Sequence, residues 1–206
     1  MNTNISVFFK VIKQSRPYMN MLYLLLSFPL GTFYFVFLVT GLSLGIGLTI
    51  TLFGIPILLG MLLLWREFAK FERYLTKIML GVDIASDSKQ NPEGTWQKVK
   101  SYLTDSFTWK GLAYLFIKFP LGIISFVFLA TLLSVSLGLI ATPIFYHLTE
   151  IGIIQGSTHN INSYFVAVIS AIIGVFFLFI SFHTLNGLSR IFGLLAKYML
   201  EKRITP

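Results

Sequence analysis

Tyr23-Leu-Leu-Leu-Ser-Phe-Pro-Leu-Gly-Thr-Phe-Tyr-Phe-Val-Phe-Leu38 returns, 91 residues on, as Tyr114-Leu-Phe-Ile-Lys-Phe-Pro-Leu-Gly-Ile-Ile-Ser-Phe-Val-Phe-Leu129. Carried on to Leu48 against Leu139, the comparison is ungapped and holds 15 identities in 26 positions. Apolar sequence matches itself easily. Here, however, Pro29 and Gly31 recur in register as Pro120 and Gly122, and Thr40, Ser43 and Gly47 recur as Thr131, Ser134 and Gly138. A fainter, gapped echo sets Gly54-Ile-Pro56 against Ala141-Thr-Pro143, and Arg66, Phe68, Arg73 and Tyr74 against Arg190, Phe192, Lys197 and Tyr198. The chain therefore reads as two copies of one unit: an entry segment, two apolar runs and a basic exit helix. The units are 1–81 and 96–206, joined by a polar linker at 82–95.

Working outward, the first motif lies in a run of 49 residues between Arg16 and Arg66 without a charged side chain. A single helix of that length would reach roughly 74 Å at 1.5 Å per residue, more than two bilayer cores of about 30 Å. The run therefore predicts a hairpin of two membrane-spanning helices. Its turn falls within 41–56, where Gly45-Ile-Gly47 and Gly54-Ile-Pro56 both fit. A second uncharged run, from Phe119 to Thr149, and a third, from Ile151 to Ser189, predict a span at 119–140, a polar loop at 144–163 and a span at 164–188.

The 16 Lys and Arg test this layout, because short cytoplasmic loops retain basic residues and translocated ones lack them. With four spans and both termini inside, all 16 fall on one side, and Glu150 is the single charged residue on the other. The expectation is an all-α, multi-pass protein of the cell membrane with both termini cytoplasmic. Two spans per unit give the halves the same orientation, as in parallel repeats related by an axis near the membrane normal. The first apolar run is too long for the 7–15-residue core of a signal peptide, so Met1 is expected to be retained.

Composition agrees: 55% hydrophobic residues and 12% charged ones do not cover a water-soluble domain. The +8 charge follows the membrane flanks, so nucleic acid is not an expected partner. After Arg66, the apolar Phe68, Phe71, Leu75, Ile78 and Met79 alternate with the charged Lys70, Glu72, Arg73 and Lys77 at helical spacing. A similar stripe follows Thr95. Arg66, Lys70, Arg73, Arg190 and Lys197 are read as interface residues facing anionic lipid headgroups.

Chemistry-bearing residues are sparse. Absence of Cys excludes disulfides, thiolate metal sites and a Cys nucleophile. His147 and Glu150 are one helical turn apart and, with His159, form a candidate outer sensing, metal or proton site. His183 is a candidate intramembrane polar or proton-sensing group. No nucleophile, zinc, phosphate or dinucleotide fingerprint occurs, so neither an enzyme nor a cofactor is expected. Thr40, Ser43, Thr131 and Ser134 would line a cleft between the repeats if the protein were instead a small transporter or lipid binder. Pro29 and Pro120 read as helix starts or kinks at the membrane interface. Gly41 and Gly45 permit close helix approach, within the chain or in a homodimer.

The repeated Tyr-Leu-x-x-x-Phe-Pro-Leu-Gly-x-x-x-Phe-Val-Phe-Leu-x-Thr pattern, with Gly54-Ile-Pro56, Leu80-Gly81-Val82 and Trp109 in order, resembles a family of membrane sensor domains. That family occurs at the N-terminus of actinobacterial and archaeal membrane histidine kinases, and also as free-standing membrane proteins. The resemblance covers roughly 20–202. It implies a role in signal detection but supplies no catalytic or ligand residues. With no phosphoacceptor or ATP-binding region before Pro206, a signal is expected to pass to a separate kinase or other membrane protein.

Overall fold

The computed structural model describes residues 15–85, 95–150 and 164–201. All regular structure among them is helical: α1 Ser15–Gly47, a short 3-10 turn Leu48–Thr51, α2 Gly54–Leu80, α3 Thr95–Thr104, α4 Ser106–Glu150 and α5 Tyr164–Leu200. The first uncharged run breaks where its turn residues allow. Leu52 adopts a left-handed φ of 62°. Gly54 abuts the Gly45 carbonyl and the Thr49 backbone nitrogen so closely that no Cβ would fit. Thr49 Oγ1 donates to the Gly45 carbonyl at 2.8 Å, and Thr51 Oγ1 to the Leu48 carbonyl at 2.8 Å. The turn thus satisfies two carbonyls and two threonine hydroxyls from within.

Pro29 and Pro120 do not start helices. Both lie inside long ones, α1 and α4, well beyond the starts at Ser15 and Ser106, and Pro143 lies inside α4 as well. Each proline lacks the N–H that would bond four residues back. Both Pro29 and Pro120 sit on exposed faces. The expected exit segments are continuous with their apolar helices. α2 runs to Leu80 and is closed by Gly81, at φ 66°, whose N–H donates to the Lys77 carbonyl. α5 runs unbroken to Leu200. The start of the expected linker is anchored, since Ile84 is buried in the core.

Three helical stretches, Pro17–Thr51, Ser106–Leu148 and Tyr164–Leu200, are long and apolar enough to cross a membrane. In α2 the uncharged stretch from Gly54 to Trp65 reaches only about 18 Å, short of a core of about 30 Å. The four-span expectation is therefore met by three helices on length and composition, with α2 the exception.

The repeated motifs pack against each other. A Cβ on Gly31 would lie 2.8 Å from the Lys118 carbonyl, and one on Gly122 would lie 2.6 Å from the Ser27 carbonyl. Lys118 is the repeat counterpart of Ser27, so these are one contact made twice. Phe28 stacks on Phe126 at 4.9 Å and Phe35 on Phe119 at 4.4 Å, again a counterpart pair. Tyr23 and its own counterpart Tyr114 bring their hydroxyls to 3.4 Å. Each residue contacting its partner's counterpart is the signature of a self-complementary, two-fold interface.

The contact itself has a definite sense. Leu24 meets Ser125, Ser27 meets Gly122 and Gly31 meets Lys118, so one index rises as the other falls. α1 and α4 are antiparallel where they cross, and the dyad runs across the pair and not alongside it. Charge order along a chain assigns segments to membrane faces; the sense in which two helices cross is decided by the side chains that interlock.

Candidate functional site: a buried ion pair at the crossing

Beside the crossing, Lys118 from α4 donates to Glu72 from α2, with both side chains removed from solvent, at 1% and 0% exposure. α4 carries Lys118 inward because it belongs to the motif face that holds Tyr114 and Gly122. α2 carries Glu72 inward on the stripe of Trp65, Ala69, Thr76 and Met79. Tyr34 donates to the other face of the carboxylate, at 2.9 Å from Oε1. Lys118 Nζ also lies 3.5 Å from the Tyr23 hydroxyl and 4.8 Å from that ring's centre. The Tyr23 hydroxyl in turn meets Thr76 Oγ1 and the Tyr114 hydroxyl, each at 3.4 Å. Removing two charges from water costs several kcal/mol apiece, offset only by close pairing and by hydrogen bonds to the remaining valences. Three tyrosines and a threonine surround the pair with those hydrogen bonds or polar contacts.

A second ion pair lies beside the first. Arg66 meets Asp105 at 3.0 Å, donates to Thr108 and stacks on Tyr102 at 3.9 Å. Asp105 separates α3 from α4, and its other oxygen accepts the Phe107 N–H at 3.1 Å, capping α4. Arg73 lies over Phe107 at 4.6 Å and donates to the Leu200 carbonyl at 2.7 Å, joining α2 to the end of α5. Burial first, and then the charge of Arg66, lower its guanidinium from the ordinary value. At the surface, Lys77 pairs with Asp83 at 2.7 Å. The hydrogen bond and charge of Lys77 hold that carboxyl below the usual range.

These positions correct several expectations. Arg66 and Arg73 are drawn into the protein by a carboxylate, a carbonyl and aromatic rings; Lys70, Arg190 and Lys197 remain exposed as an interface reading requires. Thr40, Ser43, Thr131 and Ser134 are all exposed and lie outside the buried inter-repeat contact, which Gly31 and Gly122 close at backbone distance. His183 faces outward from α5 and not into the bundle. His147, exposed near the end of α4, approaches the Tyr164 ring at 5.5 Å. The side chain of Glu150 and all of His159 lie outside the described residues, so the outer site is not assembled here.

In the sequence Lys118 reads as one of the cytoplasmic flank charges, which hides the pair. Its signal was present: within the aligned motif it is the position where a charge replaces Ser27.

No curated protein and no solved structure matches the chain. A family model described as "Putative sensor" matches residues 23–200. Those limits run from Tyr23, at the crossing, to Leu200, whose carbonyl holds Arg73, and the chain belongs to this sensor family.

Proposed function

We propose that the chain is a sensory module of the cell membrane in which the α1–α4 crossing transmits movement between the two hairpins and the basic exit segments 66–81 and 190–203. The observation that carries this reading is the buried Glu72–Lys118 pair. It ties the exit half of the first hairpin to the entry helix of the second, at the point where the repeats cross. Such a pair resists gradual displacement, because partial separation leaves two desolvated charges without partners. It therefore favours a small number of discrete arrangements, the property a signalling element needs. The exposed Lys70, Arg190 and Lys197 suit anionic lipid or a partner membrane protein such as a kinase, which would receive the change.

In this proposal all basic segments face the cytoplasm and both hairpin turns lie outside. An antiparallel crossing is compatible with that only if the hairpins diverge from Pro29 and Pro120 toward the same membrane face. Because the chain has no cysteine, introduced ones report cleanly. Ile50→Cys should react with an impermeant reagent from outside, and Tyr74→Cys and Tyr198→Cys from inside. Spin labels at 74 and 198 should show a shifted or broadened distance when Glu72→Gln is added in lipid bilayers. An unchanged distance would remove the coupling role, and inside labelling of Ile50→Cys would remove the topology.

A further inference from the structure

The reciprocal glycine contact raises a question of pairing. Backbone geometry at the crossing does not distinguish the halves: Gly122 accepts the backbone at Ser27, and Gly31 accepts the backbone at Lys118. By these backbone contacts, the motif of one first half would also fit against the first half of another copy, and likewise for second halves. The side chains differ at several positions, the buried Tyr34 against Ser125 among them, but a buried charge stands on one side only. Glu72 belongs to the first half and Lys118 to the second. The positions matching them are Ala196 and Ser27, both fully buried and uncharged.

We propose that the motif face, closed within one chain, can exchange partners with a second copy of this chain, and that the Glu72–Lys118 pair selects unlike halves over like ones. Pairing two first halves would place each Glu72 opposite a Ser27 and bury two carboxylates without a cation. Pairing two second halves would place each Lys118 opposite an Ala196 and bury two ammonium groups without an anion. Pairing unlike halves buries both charges together. A buried ion pair adds little net stability over an apolar pair, yet an unmatched buried charge is strongly unfavourable. That asymmetry is what discrimination between partners uses. It accounts for a costly charged pair on one side of a dyad whose other side manages without one.

The test uses the full chain with Phe28→Cys and Phe35→Cys, two turns apart on α1 and so too distant to bridge within one copy. In the structure these positions face Phe126 and Phe119. In a like-half pair, position 28 of one copy would face position 35 of the other. After oxidation in membranes, the disulfide-linked dimer should stay at the level of a single-cysteine control. With Glu72→Ala and Lys118→Ser added, it should rise severalfold. With the charges exchanged, Glu72→Lys and Lys118→Glu, it should remain at the control level, because unlike halves alone still match. In a parallel series, the intrachain disulfide of Phe28→Cys with Phe126→Cys should fall in the neutral variant as the dimer rises. No rise in the neutral variant, loss of the intrachain disulfide without a dimer, or an exchanged variant that dimerises as readily as the neutral one would each overturn the proposal.

Discussion

On one flank of the Tyr23–Tyr114 contact, Lys118 and Glu72 meet among three tyrosines. The counterparts of Lys118 and Glu72 in the repeat are the buried, uncharged Ser27 and Ala196, and Ser27 Oγ simply donates to the Tyr23 carbonyl at 2.8 Å. The frameworks of the two flanks are alike in their glycines, stacked phenylalanines and helix order. Their fillings are not alike. The backbone packing of the crossing therefore does not depend on charge, and the charged pair must contribute something that packing does not.

The largest test removes that difference. Glu72→Ala or Lys118→Ser alone should lower stability by about 3–5 kcal/mol, because each leaves a buried, unmatched charge. The double variant, which gives this flank the residues of the other, should lose well below the sum of the two. Equilibrium unfolding in detergent micelles measures this, and additive losses would mean that the two charges act independently.

The next test asks whether the frameworks are as alike as their contacts indicate. Gly31→Ala and Gly122→Ala each push a Cβ against backbone atoms at 2.8 and 2.6 Å. Each should cost about 1–3 kcal/mol, as overpacking does, and the two losses should match closely. Gly138→Ala, which meets open space, should be neutral or stabilise by about 0.5–1 kcal/mol through helix propensity. A clear inequality between Gly31→Ala and Gly122→Ala would break the two-fold description.

The smallest effect contrasts the buried pair with an exposed one. Lys77 depresses the Asp83 carboxyl. Its contribution is therefore present above the ordinary aspartate range and is lost as pH falls through the lowered value. Added salt should remove it too, because exposed charges are screened. Thermal melts of Asp83→Asn and the parent chain should differ slightly at neutral pH and low salt, then coincide in acid. A difference that survives acid and salt would assign Asp83 a role other than this pair.

Much of the architecture was legible in the residues. The repeated motif announced the crossing helices, the uncharged runs announced apolar helices, and Gly54 marked the end of the turn. Of the two readings of Pro29 and Pro120, helix start fails and kink is untouched, since a long helix accepts an interior proline where neighbouring helices and local adjustment re-satisfy the freed carbonyl. The sense of the crossing was not legible, since it depends on which faces interlock. The pair itself was only half legible. Lys118 stood out against Ser27 in the motif, whereas Glu72 sat among Lys70, Arg73 and Lys77 and looked like one more surface charge. Its burial follows from a helical stripe whose partner lies 46 residues further on.

The crossing also divides α4 unequally. At 1.5 Å per residue, about 21 Å of helix lies between Ser106 and Pro120 and about 45 Å between Pro120 and Glu150. Were α4 to pivot there as a rigid rod, its arms would stand at roughly one to two. A sideways displacement at the far end would arrive at Asp105 halved in distance and doubled in force. The joint it reaches is the one where a single carboxylate holds both Arg66 and the first turn of α4.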